Sequence, residues 1–229
     1  MNLNQKVVVI TGGSLGFGKA LAKAFKTEGA RVVIASHQPT ELEKTGKEIA
    51  VDYCLTDVTD ASTVERLGEY VIKKYDAIDI WINNAGIQIA PSLTEDVAPE
   101  KLRRLFNVNF FGYFYGCQTS LRIMKKQKHG VIININSTAG LDGKPELSAY
   151  CSSKFAIKGL TETIRKENAV TGVKILAVYP GGMQTDIYNE KYPDDIKEYM
   201  TVESVAKKVI ANLKTTDPKQ DLVIKRPAK

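Results

Sequence analysis

A phenol and an amine one helical turn apart can share a proton. Tyr150 and Lys154 stand four residues apart in Tyr150-Cys151-Ser152-Ser153-Lys154, so on a helix they lie on one face. A free phenol ionises near pH 10, too high for acid–base work at neutral pH, and a neighbouring ammonium favours the phenolate. The pair therefore reads as a candidate general acid/base, Lys154 tuning Tyr150. A second feature suits a phosphate. Thr11-Gly12-Gly13-Ser14-Leu15-Gly16-Phe17-Gly18 follows a β-branched run and opens a segment carrying Leu21, Ala22 and Phe25, which Gly29 stops. Glycines there permit positive φ and let backbone amides and a helix start approach an anion. Each feature has a plainer counterpart: tyrosine–lysine pairs at this spacing arise by chance in many helices, and a glycine turn also serves tight packing. Strand, turn and helix in that order favour a nucleotide site.

The elements that must position these groups are legible as alternation. Short apolar, β-branched runs at 7–11, 31–36, 51–55, 78–83, 131–136 and 173–179, with a short seventh at 222–224, are separated by longer stretches with helical spacing. Runs without strict polar alternation suit strands buried on both faces. Thr40 to Glu43 reads as a capping box, and Val64, Leu67 and Val71 share one helical face. The expected fold class is α/β: a doubly wound, Rossmann-type three-layer sandwich on a mostly parallel sheet of six to seven strands. No repeat, linker or low-complexity tract interrupts the rhythm, so residues 1–229 are expected to form one domain.

Composition excludes several classes. The 229 residues are 43% hydrophobic and 25% charged, with 17 glycines and 8 prolines, which is globular rather than disordered. No apolar run approaches the roughly 20 residues of a membrane span, and the polar lead of MNLNQKVVVITGG does not read as a signal peptide. Cys54, Cys117 and Cys151 lack Cys-x-x-Cys or nearby histidine spacing, so no metal site and a reduced, cytoplasmic setting are expected. The net charge of +6 leaves room for an anionic partner. Its basic residues are scattered, and Lys125, Lys126, Lys128 and His129 read as a solvated helix end, so no nucleic acid is expected.

Several spaced motifs together carry a family resemblance over nearly the whole chain. The glycine turn resembles TGxxxGxG, Asn83-Asn84-Ala85-Gly86 an NNAG, Val108-Asn109-Phe110-Phe111-Gly112 a VNxxG, and Tyr150 to Lys154 a YxxxK. Ser137 precedes Tyr150 by 13 residues, and Pro180-Gly181-Gly182-Met183-Gln184-Thr185 fits a PGxxxT. In order and spacing these resemble the short-chain dehydrogenase/reductases. The resemblance implies an NAD(P)-dependent oxidoreductase acting on a small-molecule carbonyl or alcohol. It assigns catalysis to Asn109, Ser137, Tyr150 and Lys154: Ser137 bonds the substrate oxygen, Lys154 also holds the nicotinamide ribose, and Asn109 takes part in a lysine-directed water relay. Asn109 also has a local reading, as a cap or a bond within its helix.

The resemblance further implies cofactor contacts from Gly12, Ser14, Leu15, Gly16, Phe17 and Gly18, from Asp57 and Val58 at the adenine, and from Asn84, Ala85 and Gly86 along the floor. Pro180, Gly181, Met183 and Thr185 would approach the carboxamide, with Tyr150 and Lys154 beside them. Asp57 could equally cap a helix. The second strand ends Ala35-Ser36-His37 with no acid. A serine hydroxyl and a histidine, with Lys19 and Arg31 nearby in sequence, can bond a 2′-phosphate, so NADP(H) is favoured and NAD(H) stays possible.

Two departures stand out: Asn136 replaces a second serine common in the family, and His37 stands where an arginine would mark NADP preference. Cys151 reads as packing, since it points off the Tyr150 face and has no histidine partner. A modest lid at 186–200 mixes Ile187, Tyr188, Tyr192, Ile196, Tyr199 and Met200 with Asp186, Glu190, Asp194 and Asp195, which suits an apolar or aromatic carbonyl. Helices at 110–125 and 148–170 are the family's oligomer-forming helices, implying a homodimer or homotetramer. A nucleotide-binding sensor that keeps the fold without useful catalysis is the alternative of a different class.

Overall fold

The structure is a computed structural model and describes residues 1–188 and 192–226. Its strands are β1 (Val7–Thr11), β2 (Arg31–Ser36), β3 (Asp52–Leu55), β4 (Ile80–Asn83), β5 (Gly130–Ile135), β6 (Val173–Pro180) and β7 (Asp221–Ile224). They form one sheet in the order β3-β2-β1-β4-β5-β6-β7. Every strand pairing is parallel, Val9 for example lying between Val33 of β2 and Trp81 of β4. The short run near the carboxyl end extends the sheet beside β6.

Crossover helices cover both faces, which is why β1 is buried at all five positions. Alternate residues face opposite ways. Val8, Ile10, Ile34 and Ile133 pack with α1 (Gly16–Thr27), α2 (Pro39–Ile49) and α7 (Val202–Lys214). Val7, Val9, Val33 and Ile132 pack with α3 (Ala61–Tyr75), α5 (Gly112–Gln127) and α6 (Ser148–Glu167). On that second face Trp81 Nε1 donates to Asn83 Oδ1 (2.8 Å) and Asn83 Nδ2 to Asn134 Oδ1 (2.9 Å). Fixed side chains thus support the turn that follows β4. The sheet order reverses between β1 and β4, and doubly wound sheets bind ligands at such a switch point.

Three local expectations are corrected. Thr40 caps no helix: α2 begins one residue earlier, with Pro39 in its first turn and Gln38 at the cap position, where no side chain caps it. Proline presets the helical φ and lacks an N–H that the first turn would leave without an intrahelical partner, so it takes over the start. The helix expected at 110–125 is part of a longer broken rod. α4 (Pro99–Phe106) passes through one π turn (Asn107–Phe111) into α5, and such turns re-aim side chains at functional sites. α6 stops at Glu167, and Val170 beyond it is fully open to solvent. Among the described residues no helix is long and apolar enough to cross a membrane. Within the segment read as a lid, Glu190 lies outside the described residues.

Candidate functional site

A cleft of about 1490 Å³ opens at the carboxyl ends of the strands. The residues assigned to cofactor or substrate by motif, from Gly12 to Thr185, line it; Asn109 does not, nor do Lys19 and Arg31.

At the nucleotide end the glycines satisfy both readings given to them. Gly12 has φ +63°, and a Cβ there would lie 2.8 Å from the Cα of Ala85. A Cβ on Gly18 would lie 2.1 Å from the Gly12 carbonyl oxygen. Close packing alone therefore demands glycine. The same closeness interlocks two motifs: Asn84 Nδ2 donates to the carbonyls of Thr11 (2.9 Å) and Gly12 (3.1 Å), and Thr11 Oγ1 accepts from the Asn84 amide (3.0 Å). Helix α1 starts in the cleft with no side-chain cap and no acid in its first turn, leaving donors and a positive dipole end facing the space where a pyrophosphate fits. The donor set suits a dinucleotide.

Ser36 is buried and structural as well as lining: its Oγ accepts from Ser14 Oγ (3.0 Å) and from the Gln38 amide (3.3 Å). His37 is exposed at the cleft edge. The two cations expected beside them are engaged elsewhere. Lys19 pairs with Glu48 (2.6 Å), and Arg31 sits at the opposite, amino end of β2, bonded to Gln5 (2.8 Å). A strand of six residues spans roughly 17 Å, a separation that adjacency in sequence hides. Asp57 does not cap α3; Asp60 does, accepting from the Ser62 amide (2.8 Å). Asp57 instead accepts from the amide (2.9 Å) and hydroxyl (2.8 Å) of Thr59 in a turn on the cleft wall.

At the other end, α6 brings Tyr150 and Lys154 against the end of β5, where the Ser137 hydroxyl faces the Tyr150 phenol. Ser137 Oγ also accepts from the Ala139 amide (3.1 Å), which fixes it in the turn after β5. Lys154 is buried, donates to the Ile135 carbonyl (3.3 Å) and lies 5.4 and 5.6 Å from the ring centroids of Tyr113 and Tyr150. The ionisation order differs from the one expected from spacing. Burial pushes the Tyr150 phenol up to about 12, against a lowering contribution from Ser137. Burial alone brings Lys154 down to about 7. Desolvation penalises the charged form of both groups, so at neutral pH the ammonium is only partly present to act on the phenol.

Asn109, on the π turn, has no exposed surface. Its Oδ1 accepts from the Ile87 amide (2.8 Å), and its Nδ2 donates to the Ile87 carbonyl (2.9 Å) and to Ser153 Oγ (3.2 Å). The side chain thus clamps the segment after Asn84-Ala85-Gly86 to α6, and the local-cap reading is set aside. Cys151 packs with Leu105 and Ala139. Sequence reading passed over Tyr113, which donates to the same Ile135 carbonyl (2.6 Å) and floors the Lys154 ammonium. Its place one helical turn after Asn109 was the available signal.

Comparison with known proteins agrees with this architecture. The short chain dehydrogenase family model matches residues 6–196. A 3-oxoacyl-[acyl-carrier-protein] reductase of Thermotoga maritima is 35% identical over 203 residues, covering 86% of this chain and 82% of that one. In three dimensions the chain resembles 3-ketoacyl-(acyl-carrier-protein) reductase from Brucella melitensis complexed with NADH, at 25% identity and a TM-score of 0.90, covering 98% of each chain. It also resembles an alcohol dehydrogenase from Thermococcus sibiricus complexed with 5-hydroxy-NADP, at 26% identity and a TM-score of 0.87, covering 96% and 95%. The chain belongs to the short-chain dehydrogenase/reductases. It is a nucleotide-binding oxidoreductase of the class that acts on CH–OH groups.

Proposed function

We propose that this protein interconverts a small-molecule carbonyl and its alcohol, with NADP(H) favoured over NAD(H) and Tyr150 as general acid/base. The observation that carries the reading is the convergence of Ser137, Tyr150 and Lys154 on the cleft that the glycine turn also lines. The nicotinamide, when bound, supplies or accepts the hydride. Tyr150 gives its phenolic proton to the carbonyl oxygen in reduction and takes it back in oxidation. Ser137 donates a hydrogen bond to the same oxygen and orients it toward the phenol. Lys154, when protonated, favours the phenolate and offers a donor to a ribose hydroxyl; Tyr113 and the Ile135 carbonyl hold its amine in place. Asn109 supports the Lys154 side of this centre through Ser153 and α6.

The preference for NADP(H) rests on the missing acid at the end of β2, where a carboxylate would repel a 2′-phosphate, and on the exposed His37 that takes its place. Phe111, Phe114 and Phe155 are each more than two-fifths exposed around α5 and α6, and we assign these rings to a homodimer or homotetramer interface. The remaining assignments are residues 1–229 as one domain and a cytoplasmic location.

The deciding test is turnover of NADPH and, separately, NADH against a panel of aldehydes, ketones and quinones, with Tyr150→Phe as control in every assay. Tyr150-dependent oxidation of NADPH supports the proposal. Faster NADH turnover overturns the cofactor preference, and wild-type rates in Tyr150→Phe overturn the assignment of the acid/base.

A further inference from the structure

The substrate end of the cleft is walled by the segment after β6, and a single arginine beyond the last strand grips that segment. Arg226, two residues past Ile224, places its guanidinium 4.0 Å from the ring centroid of Tyr199 and pairs with Asp195 at 2.8 Å. An exposed ion pair of this kind contributes little alone. Stacking a guanidinium on an aromatic face adds a planar, directional contact that lysine reproduces only in part.

Main-chain bonds then tie the ring to the body. The Gln184 amide donates to the Met200 carbonyl (3.0 Å), and the Met200 amide to that of Gly182 (3.1 Å). Gln184 Nε2 donates to the carbonyls of Lys197 (3.0 Å) and Tyr199 (2.9 Å). Gly182 is the seat of the ring, since a Cβ there would lie 2.4 Å from Tyr199 Cε2. Tyr199 in turn meets Tyr188 edge to face at 6.0 Å between centroids. Tyr188 and Tyr150 line the same cleft, close enough for the ionisation of one to oppose that of the other.

We infer that Arg226 is a positioning residue for substrate selection: by gripping Tyr199 it holds Tyr188 as a flat wall across from Tyr150, which selects planar aromatic or conjugated carbonyls over saturated ones of the same size. An aromatic ring gains from edge or offset contact with a held tyrosine, whereas a puckered ring offers no face to match. The inference rests on the oxidoreductase reading above, and its two arms separate the failure of each.

The first arm needs no substrate. In Arg226→Gln, amide hydrogen exchange across 182–188 and 192–200 should quicken while the strands keep wild-type protection, and Arg226→Lys should fall between; unchanged exchange overturns the latch. The second arm compares acetophenone with cyclohexyl methyl ketone, and benzaldehyde with cyclohexanecarbaldehyde, using whichever of NADPH and NADH is turned over. Wild type should prefer the planar member of each pair, and Arg226→Gln and Tyr188→Leu should each cut that preference by about fivefold, the size of one aromatic or cation–π contact. The loss should fall in KM more than in kcat, and Arg226→Lys should restore part of it. A wild type without planar preference, or an Arg226→Gln ratio equal to wild type, overturns the inference. Absence of any Tyr150-dependent turnover would instead defeat the functional reading, and the exchange arm would still decide the latch.

Discussion

The two ends of the cleft are built by opposite means. The nucleotide end is made of small residues and backbone: glycines 12 and 18 sit where a single Cβ would strike Ala85 or Gly12, and Asn84 stitches the two turns together. The reactive end is made of large buried side chains, Tyr113, Tyr150, Lys154 and Asn109, and burial alters how the two tyrosines and the lysine ionise. At the first end shape leaves no room for substitution. At the second, the constraint is electrostatic as well as steric. The difference teaches that one cleft can fail in two separable ways, by loss of binding and by loss of proton control.

Substitutions can break or sharpen that contrast. The largest effect belongs to the reactive end: Tyr150→Phe keeps the ring and removes the proton, so kcat should fall at least about 100-fold, with cofactor affinity within about twofold of wild type by fluorescence titration. Equal losses in both quantities would merge the two ends.

Next is the pH dependence of stability. Lys154 titrates at about 7 in the folded chain and near 10.4 when unfolded. Between these values unfolding takes up a proton, so stability should rise as pH climbs from 7 toward 10, by up to about 1.4 kcal/mol per unit from this group. Tyr150, raised to about 12, opposes the trend only above pH 10. Urea unfolding at pH 7, 8 and 9 should show this slope in wild type and lose it in Lys154→Met; parallel slopes would remove Lys154 from the account.

At the nucleotide end, Gly18→Ala should cost about 1–3 kcal/mol of stability through overpacking and weaken cofactor binding in step. An alanine that left both unchanged would refute the interlock. The smallest effects come from charge at the rim. His37→Asp should lower the NADPH-to-NADH preference about tenfold by repulsion of the 2′-phosphate, whereas Arg31→Gln, at the far end of β2, should leave it unchanged. Sensitivity to Arg31 would contradict its placement.

Much of this was readable in the chain. β-branched runs at the right intervals located all seven strands to within two residues, because strands buried on both faces admit little else. The family-like spacing of Ser137, Tyr150 and Lys154, and the glycine turn after β1, likewise pointed to groups that line the cleft. Local rules failed where a neighbour in sequence was no neighbour in space. Arg31 precedes Ser36 by five residues, yet it stands at the other end of the strand. Thr40 has the composition of a cap, but Pro39 sets the helix start before it. For Asp57 the cap was three residues away, at Asp60.

The sequence by itself determined the layered α/β fold and the order of its elements, and its motifs picked out side chains that line the cleft, because periodicity, turn residues and chemical type are local properties. Only the tertiary structure decided that Asn109 clamps Ile87, that Tyr113 and the Ile135 carbonyl cradle Lys154, that burial rather than charge governs Tyr150, and that Arg226 reaches Tyr199. Each of these depends on which distant side chains meet and how much water they exclude, and neither quantity is written in spacing along the chain.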